Sequence, residues 1–293
     1  MVMKDIELIK NIYLKLKYSR LKRLMMLIFL MVAMVAVFSL FLGNPFPHKY
    51  SIVISEVWVE GWLTRDIILS YVIIILSAVL TIKWDAHRAR KMLVPLMNLV
   101  LEECNATRLV EISKKGIDYA IENNLKAEKR ALQEFEYLYI FALNALGKFE
   151  ETINYLENDW HSAKRKTYRM YVLQMKLNIA ARDEKVELYH TLYSQAPKVL
   201  NKNFSFLLQS KVVDGKYTEA IALIGKEQGK NKPLCSLYQV RDMYYKAKCY
   251  KQMGDLEKAK SCFDYVIDNG GDLMYKQFAI ELYEQMKNDK NNC

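Results

Sequence analysis

Two patterns of apolar residues divide the chain near Trp84. Before it, apolar residues run together: Leu24 to Leu42 is 19 residues without a charge, and Ile67 to Ile82 is another 16. At 1.5 Å of rise per residue the first run covers about 28 Å, close to the hydrocarbon thickness of a bilayer. Trp62, Leu63 and Trp84 extend the second run towards interfaces, where tryptophan is favoured. Two transmembrane helices are therefore expected, at 24–42 and 67–84, joined by an external connector at 43–66 that opens with the helix-breaking Pro45 and Pro47.

Beyond Trp84 the pattern changes. From Asp85 onwards apolar residues recur at helical spacing, with glycine or polar breaks roughly every 15 to 20 residues. This predicts an all-helical region of antiparallel hairpins. Its first part, 85–130, is expected to be a divergent hairpin turning near Asn105; residues 131–286 carry clearer repeats, and 287–293 a polar tail.

Three stretches of the helical region turn alike: LNALGKFEET at Gly147, SKVVDGKYTEA at Gly215 and YKQMGDLEKA at Gly254. Each has an aromatic residue or leucine two positions after the glycine (Phe149, Tyr217, Leu256) and a small residue three further on (Thr152, Ala220, Ala259). Gly147 and Gly215 are 68 apart, twice 34, so a degenerate unit is expected to turn near position 181. The GKEQGKNKP segment at Gly225 then reads as an extended inter-repeat loop.

In these residues the chain resembles the tetratricopeptide repeat, a 34-residue helix-turn-helix that stacks into a right-handed superhelix. The best copy runs from Val240 to Leu273. There Ala247 matches the small residue of the first helix, Tyr250 the large one facing it, Gly254 the turn, Ala259 the small residue of the second helix and Phe263 the bulky one. Lys246, Val266 and Gly271 depart from the family pattern. The fold expected is all-α: a transmembrane hairpin followed by a soluble right-handed α-solenoid of about five such hairpins.

The resemblance implies a function of binding another protein or peptide in a groove lined by the first helix of each repeat. Glu134, Tyr137, Phe141 and Asn144 would face it in the first clear unit, and Arg241, Tyr244, Lys248 and Lys251 in the last. The last set is basic, so an acidic peptide is expected to be drawn there. Gly147, Gly215, Ala220, Ala247, Tyr250, Gly254, Ala259 and Phe263 are expected to serve packing.

Charge locates the chain in this reading. The formal charge of +10 concentrates before residue 92, where 13 Lys and Arg meet 6 Asp and Glu. Seven of these cations precede the first apolar run and four closely follow the second, which by the positive-inside rule puts both termini and the repeats in the cytoplasm. The expected location is thus a membrane, on general grounds a bacterial cytoplasmic one. The leader, residues 1–23, places Val2, Ile6, Ile9, Tyr13 and Leu16 near one face of a basic helix suited to a lipid surface. Because the excess charge flanks the apolar runs, nucleic acid is not expected as a partner.

No catalytic pattern stands out. The four histidines are scattered, there is no HExxH, GxSxG or GxGxxG, and GKEQGKNK lacks both the spacing and the Ser or Thr of a phosphate loop. The five cysteines show no CxxC spacing. Neither an enzyme nor a cofactor or metal site is expected. Two functions remain: a membrane-tethered scaffold using the groove, or an accessory or regulatory subunit of a transporter, secretion or envelope-synthesis complex contacting it through the apolar hairpin.

Overall fold

The computed structural model of the chain describes residues 5–14, 25, 91, 93–123, 129–160, 165–197, 200, 203–228 and 235–291. They fall into two units, one built on residues 7–94 and the other on residues 95–293 with residues 4–6. Every regular element among the described residues is helical.

Residues 5–14 form a helix that buries Ile9, Ile12 and Tyr13 and leaves Ile6, Leu8 and Leu14 exposed. The apolar face is therefore turned from the expected one, with Ile12 in place of Ile6. Asp5, which belongs with the second unit, is buried and accepts from Arg108 Nη2 at 2.6 Å and Lys115 Nζ at 3.1 Å.

Among the described residues no helix is long and apolar enough to cross a membrane. The two longest, Arg165–Arg182 and Met274–Asn291, have 18 residues each and carry charged side chains within their lengths. This corrects the expected fold class and location: the described fold is a helical array without a transmembrane hairpin, and an integral membrane location is not supported. The apolar runs at 24–42 and 67–84 and their connector lie, apart from Met25, outside the described residues.

From Ala106 the second unit runs through α1 (Ala106–Glu122), α2 (Lys129–Ala145), α3 (Phe149–Asn158), α4 (Arg165–Arg182), α5 (Val186–Ser194), α6 (Phe204–Val213), α7 (Tyr217–Gln228), α8 (Ser236–Gln252), α9 (Leu256–Asn269) and α10 (Met274–Asn291). Consecutive helices pack on one another, α5 and α6 through Tyr189 and Phe206, and α8 also packs on α10. The result is a stack of helical hairpins of the general α-solenoid kind. Two boundaries differ from expectation. Gly225–Gln228 continue α7 where a loop was expected, and α10 extends to Asn291 through most of the expected polar tail.

Small side chains set the close approaches. Ala220, Ala247 and Ala259 are fully buried, as is the Phe263 ring. Leu208 and Val212 of α6 meet Ala220 and Ile224 of α7 and Cys249 of α8 in one cluster. Leu177 and Ala180 of α4 meet Tyr189 of α5 and Phe206 of α6 in another. Thr152 is buried too, and its hydroxyl donates to Lys148 O at 2.8 Å, which removes the cost of burying it. Tyr250 is only half-buried, its ring lying under the Lys258 ammonium at 5.5 Å.

The turns between paired helices share one device. At Gly147, Gly215 and Gly254 φ is +74°, +71° and +80°, and the next residue donates its N–H to the carbonyl five positions back. These bonds run from Lys148 to Leu143, Lys216 to Lys211 and Asp255 to Tyr250, at 3.0, 2.9 and 3.0 Å. That is the Schellman ending of a helix, for which glycine alone carries no steric penalty. The fourth turn has the same bond, Lys185 to Ala180 at 2.9 Å, but places Glu184 at φ +56°.

The two ends of this array meet. The Asp272 carboxylate accepts from the main-chain N–H of Ala106 and of Thr107, both at 2.7 Å, and Asp272 N–H donates to Cys104 O at 3.1 Å. Gly271, at φ +54°, lies so close to Cys104 that a Cβ there would overlap its carbonyl. At Gly147 a Cβ would stand 2.9 Å from Cβ of Met274, at the start of α10. The turn before the last helix thus closes against the start of α1, and the last helix itself against the first glycine turn.

Candidate functional site

Closure of the array leaves a groove of about 960 Å³ on its inner side. Its walls come mainly from alternate helices: α2, α4, α6 and α8, the first member of each hairpin, and the last helix, α10. A first helix faces inward because its small residues are taken up against the second helix, leaving its larger polar and aromatic side chains for the opposite face.

Six of the eight residues expected in the groove line it: Tyr137, Phe141, Asn144, Arg241, Tyr244 and Lys248. Glu134 and Lys251 do not. Lys251 instead donates to Gln285 Oε1 at 3.3 Å, beside the groove. Aromatic rings form two walls. Tyr137 and Tyr171 lie 6.4 Å apart on α2 and α4, and Tyr244 lies 5.4 Å from Tyr275 and 6.2 Å from Phe278 across α8 and α10.

The described cations of the groove are already partnered. Arg241 is buried, stacks between the Phe204 and Tyr238 rings at 4.8 Å from each, and donates through Nε and Nη2 to Asp242 Oδ1 at 2.9 and 2.7 Å. Its Nη1 donates to Ser205 Oγ at 2.8 Å. Burial raises the Asp242 carboxyl above its ordinary range and the Arg241 charge pulls against that rise. Lys248 pairs with Glu184 at 2.9 Å, and Arg182 with Glu150 and Asp183 at 2.7 and 2.9 Å. Hydrogen bonds from Arg182 hold both of those carboxyls below their ordinary values.

Sequence reasoning passed over a row of amides. Asn178 Nδ2 donates to Asn144 Oδ1 at 3.0 Å, and Gln209 Nε2 donates to Asn178 Oδ1 at 3.4 Å, so one side chain each from α2, α4 and α6 joins a chain along the groove. Gln209 is 8% exposed, and its Oε1 has no hydrogen-bond partner. Tyr245 lies beside this row; burial pushes its hydroxyl up to about 12, against the opposing pull of Arg241 and Gln209. One signal was present in the sequence: Asn144 and Asn178 are 34 positions apart.

A scan against protein-family models, a search of curated proteins and a search of solved structures returned no match to this chain. Its chemistry has to be read from the groove itself.

Proposed function

We propose that the chain is a protein-interaction scaffold that holds a peptide or protein partner in the groove between its first helices. The carrying observation is that residues from four successive hairpins and the last helix converge on one cavity of about 960 Å³ with paired aromatic walls. Aromatic side chains supply large contact areas at small entropic cost, which suits a surface for recognition. The tetratricopeptide-like spacing of Gly147, Gly215 and Gly254 points the same way, since proteins of that kind bind partners on this face. Because Arg241, Lys248 and Arg182 are each paired with carboxylates, little free positive charge remains among the described groove residues to draw an acidic segment.

The reading is tested by placing a photo-crosslinking amino acid at Phe141 in the groove and, separately, at the exposed Met253 outside it, in the full chain in its native cells. A polypeptide captured from position 141 and not from 253 is the expected result. No polypeptide at 141, or the same product at both positions, would remove the proposal.

A further inference from the structure

Among its described residues the groove carries no free cation that an acidic ligand could pair with, but it does carry an orphan acceptor. Gln209 Oε1 is buried, lines the cavity and lacks a donor. A buried carbonyl oxygen left unbonded costs free energy until something donates to it. It also terminates a run of amides from α6 through α4 to α2, in which each nitrogen donates to the next oxygen. A primary amide offers one acceptor and two donors in a plane, and the group that matches this pattern repeatedly along a line is another amide.

Resting on the reading of the groove as a partner-binding site, we propose that its occupant is an uncharged segment of extended polypeptide, whose main-chain N–H is donated to Gln209 Oε1 and whose side chains lie against the two aromatic walls. Charge argues for an uncharged segment. Among the described residues inside the groove Arg241 is matched by Asp242 and Lys248 by Glu184, so an acidic ligand group would be buried unpaired or would break a pair, and a basic one would find a single exposed carboxylate outside such pairs, Glu281. Geometry argues for an extended one. Three first helices at the usual interaxial spacing of about 8–10 Å span about 20 Å, the length of roughly six extended residues. Polar contact is made by the amide row and apolar contact by Tyr137 and Tyr171 at one side and Tyr244, Tyr275 and Phe278 at the other.

The experiment uses the full chain and three pools of fluorescent ten-residue synthetic peptides, acetylated and amidated so that their ends are neutral: one uncharged and rich in Leu, Phe and Tyr, one rich in Asp and Glu, one rich in Lys and Arg. Fluorescence anisotropy is expected to show the uncharged pool binding at least tenfold tighter than either charged pool. The best member should weaken about tenfold when a central main-chain nitrogen is methylated, which removes one donor without adding charge. Gln209→Met should weaken the parent peptide similarly but leave the methylated one unchanged; should that variant fail to fold, the methylation series on the unaltered chain decides alone. Preference for a charged pool, with binding blocked by Asn178→Trp, overturns this inference while the groove remains a binding site. Binding indifferent to Asn178→Trp, or no binding by any pool, overturns the groove reading as well.

Discussion

The Asp272 side chain caps a helix that begins 166 positions earlier, its Oδ1 accepting the Ala106 N–H at 2.7 Å. The neighbouring Thr107 N–H is taken by the other oxygen, and Asn105 Oδ1 accepts from Arg108 N, so the donors of the first turn of α1 are satisfied from both directions. Cap residues of this kind contribute about 1–2 kcal/mol. Asp272→Ala is therefore expected to lower stability by about that amount in chemical denaturation, and Gly271→Val by more, because the added side chain meets the Cys104 carbonyl at a positive φ. Equal stability of Gly271→Val and the parent chain would mean that the two ends do not meet.

The glycine turns provide a graded series. Gly254→Ala meets no atom within 4 Å and pays only for its φ of +80°, about 1–2 kcal/mol. Gly147→Ala carries the same backbone cost and adds an overlap with Met274, so it should be the more damaging of the two. Glu184→Gly relieves a side chain at φ +56° and is expected to raise the melting temperature slightly despite losing the exposed pair to Lys248. Comparing the four melting curves decides the point: Gly147→Ala no worse than Gly254→Ala would contradict the contact with α10.

Ala259 is fully buried where α9 packs on α8. Ala259→Arg forces a long charged side chain into that contact and should cost several kcal/mol. Ala222→Arg, on the exposed face of α7, serves as the control. Two superimposable unfolding curves would show that the hairpin packing is wrongly assigned.

Alkali should weaken the fold. Burial pushes the Cys104 and Cys249 thiols up to about 11, and it raises the Cys235 and Cys262 thiols as well. A thiol held protonated in the folded state contributes stability that is whole below its unfolded value of about 8.5 and is lost as pH rises towards the folded value. Denaturant midpoints are thus expected to be flat near pH 7 and to fall between about pH 9 and 11. Thiol-specific labelling read by mass spectrometry should find Cys104 and Cys249 slow to react at pH 8 until the chain is unfolded. Rapid native-state modification of either would contradict their burial.

Local signals and distant ones were not equally legible in the sequence. Gly147, Gly215 and Gly254 could be picked out because glycine at a fixed place before an aromatic or leucine reports a backbone requirement directly. The fourth turn was placed near 181, whereas the left-handed residue is Glu184, whose side chain gives no such report. Tyr137, Asn144 and Tyr244 fall in the groove because helical register alone sets which face a residue joins. Asn178 and Gln209 were missed since a lone amide on a helix looks the same whether it meets water or another amide. Arg241 and Lys248 read as available cations, and their neutralisation depends in one case on an adjacent residue and in the other on Glu184, 64 positions away. The apolar runs suggested a membrane hairpin by composition alone, and no described helix has that character.

A stack of hairpins ordinarily behaves as a row in which each unit answers only to its neighbours, so it can fold from any point and fray from either end. Here the contact between Asp272 and the start of α1 makes the two ends of the row neighbours as well. Loop-closure entropy over more than 160 residues must be spent before that contact forms, which slows the final step of folding relative to a simple row. During synthesis the amino end of α1 lacks the Asp272 carboxylate until residue 272 has left the ribosome, so α1, made before the other nine helices of the row, is among the last to be completed.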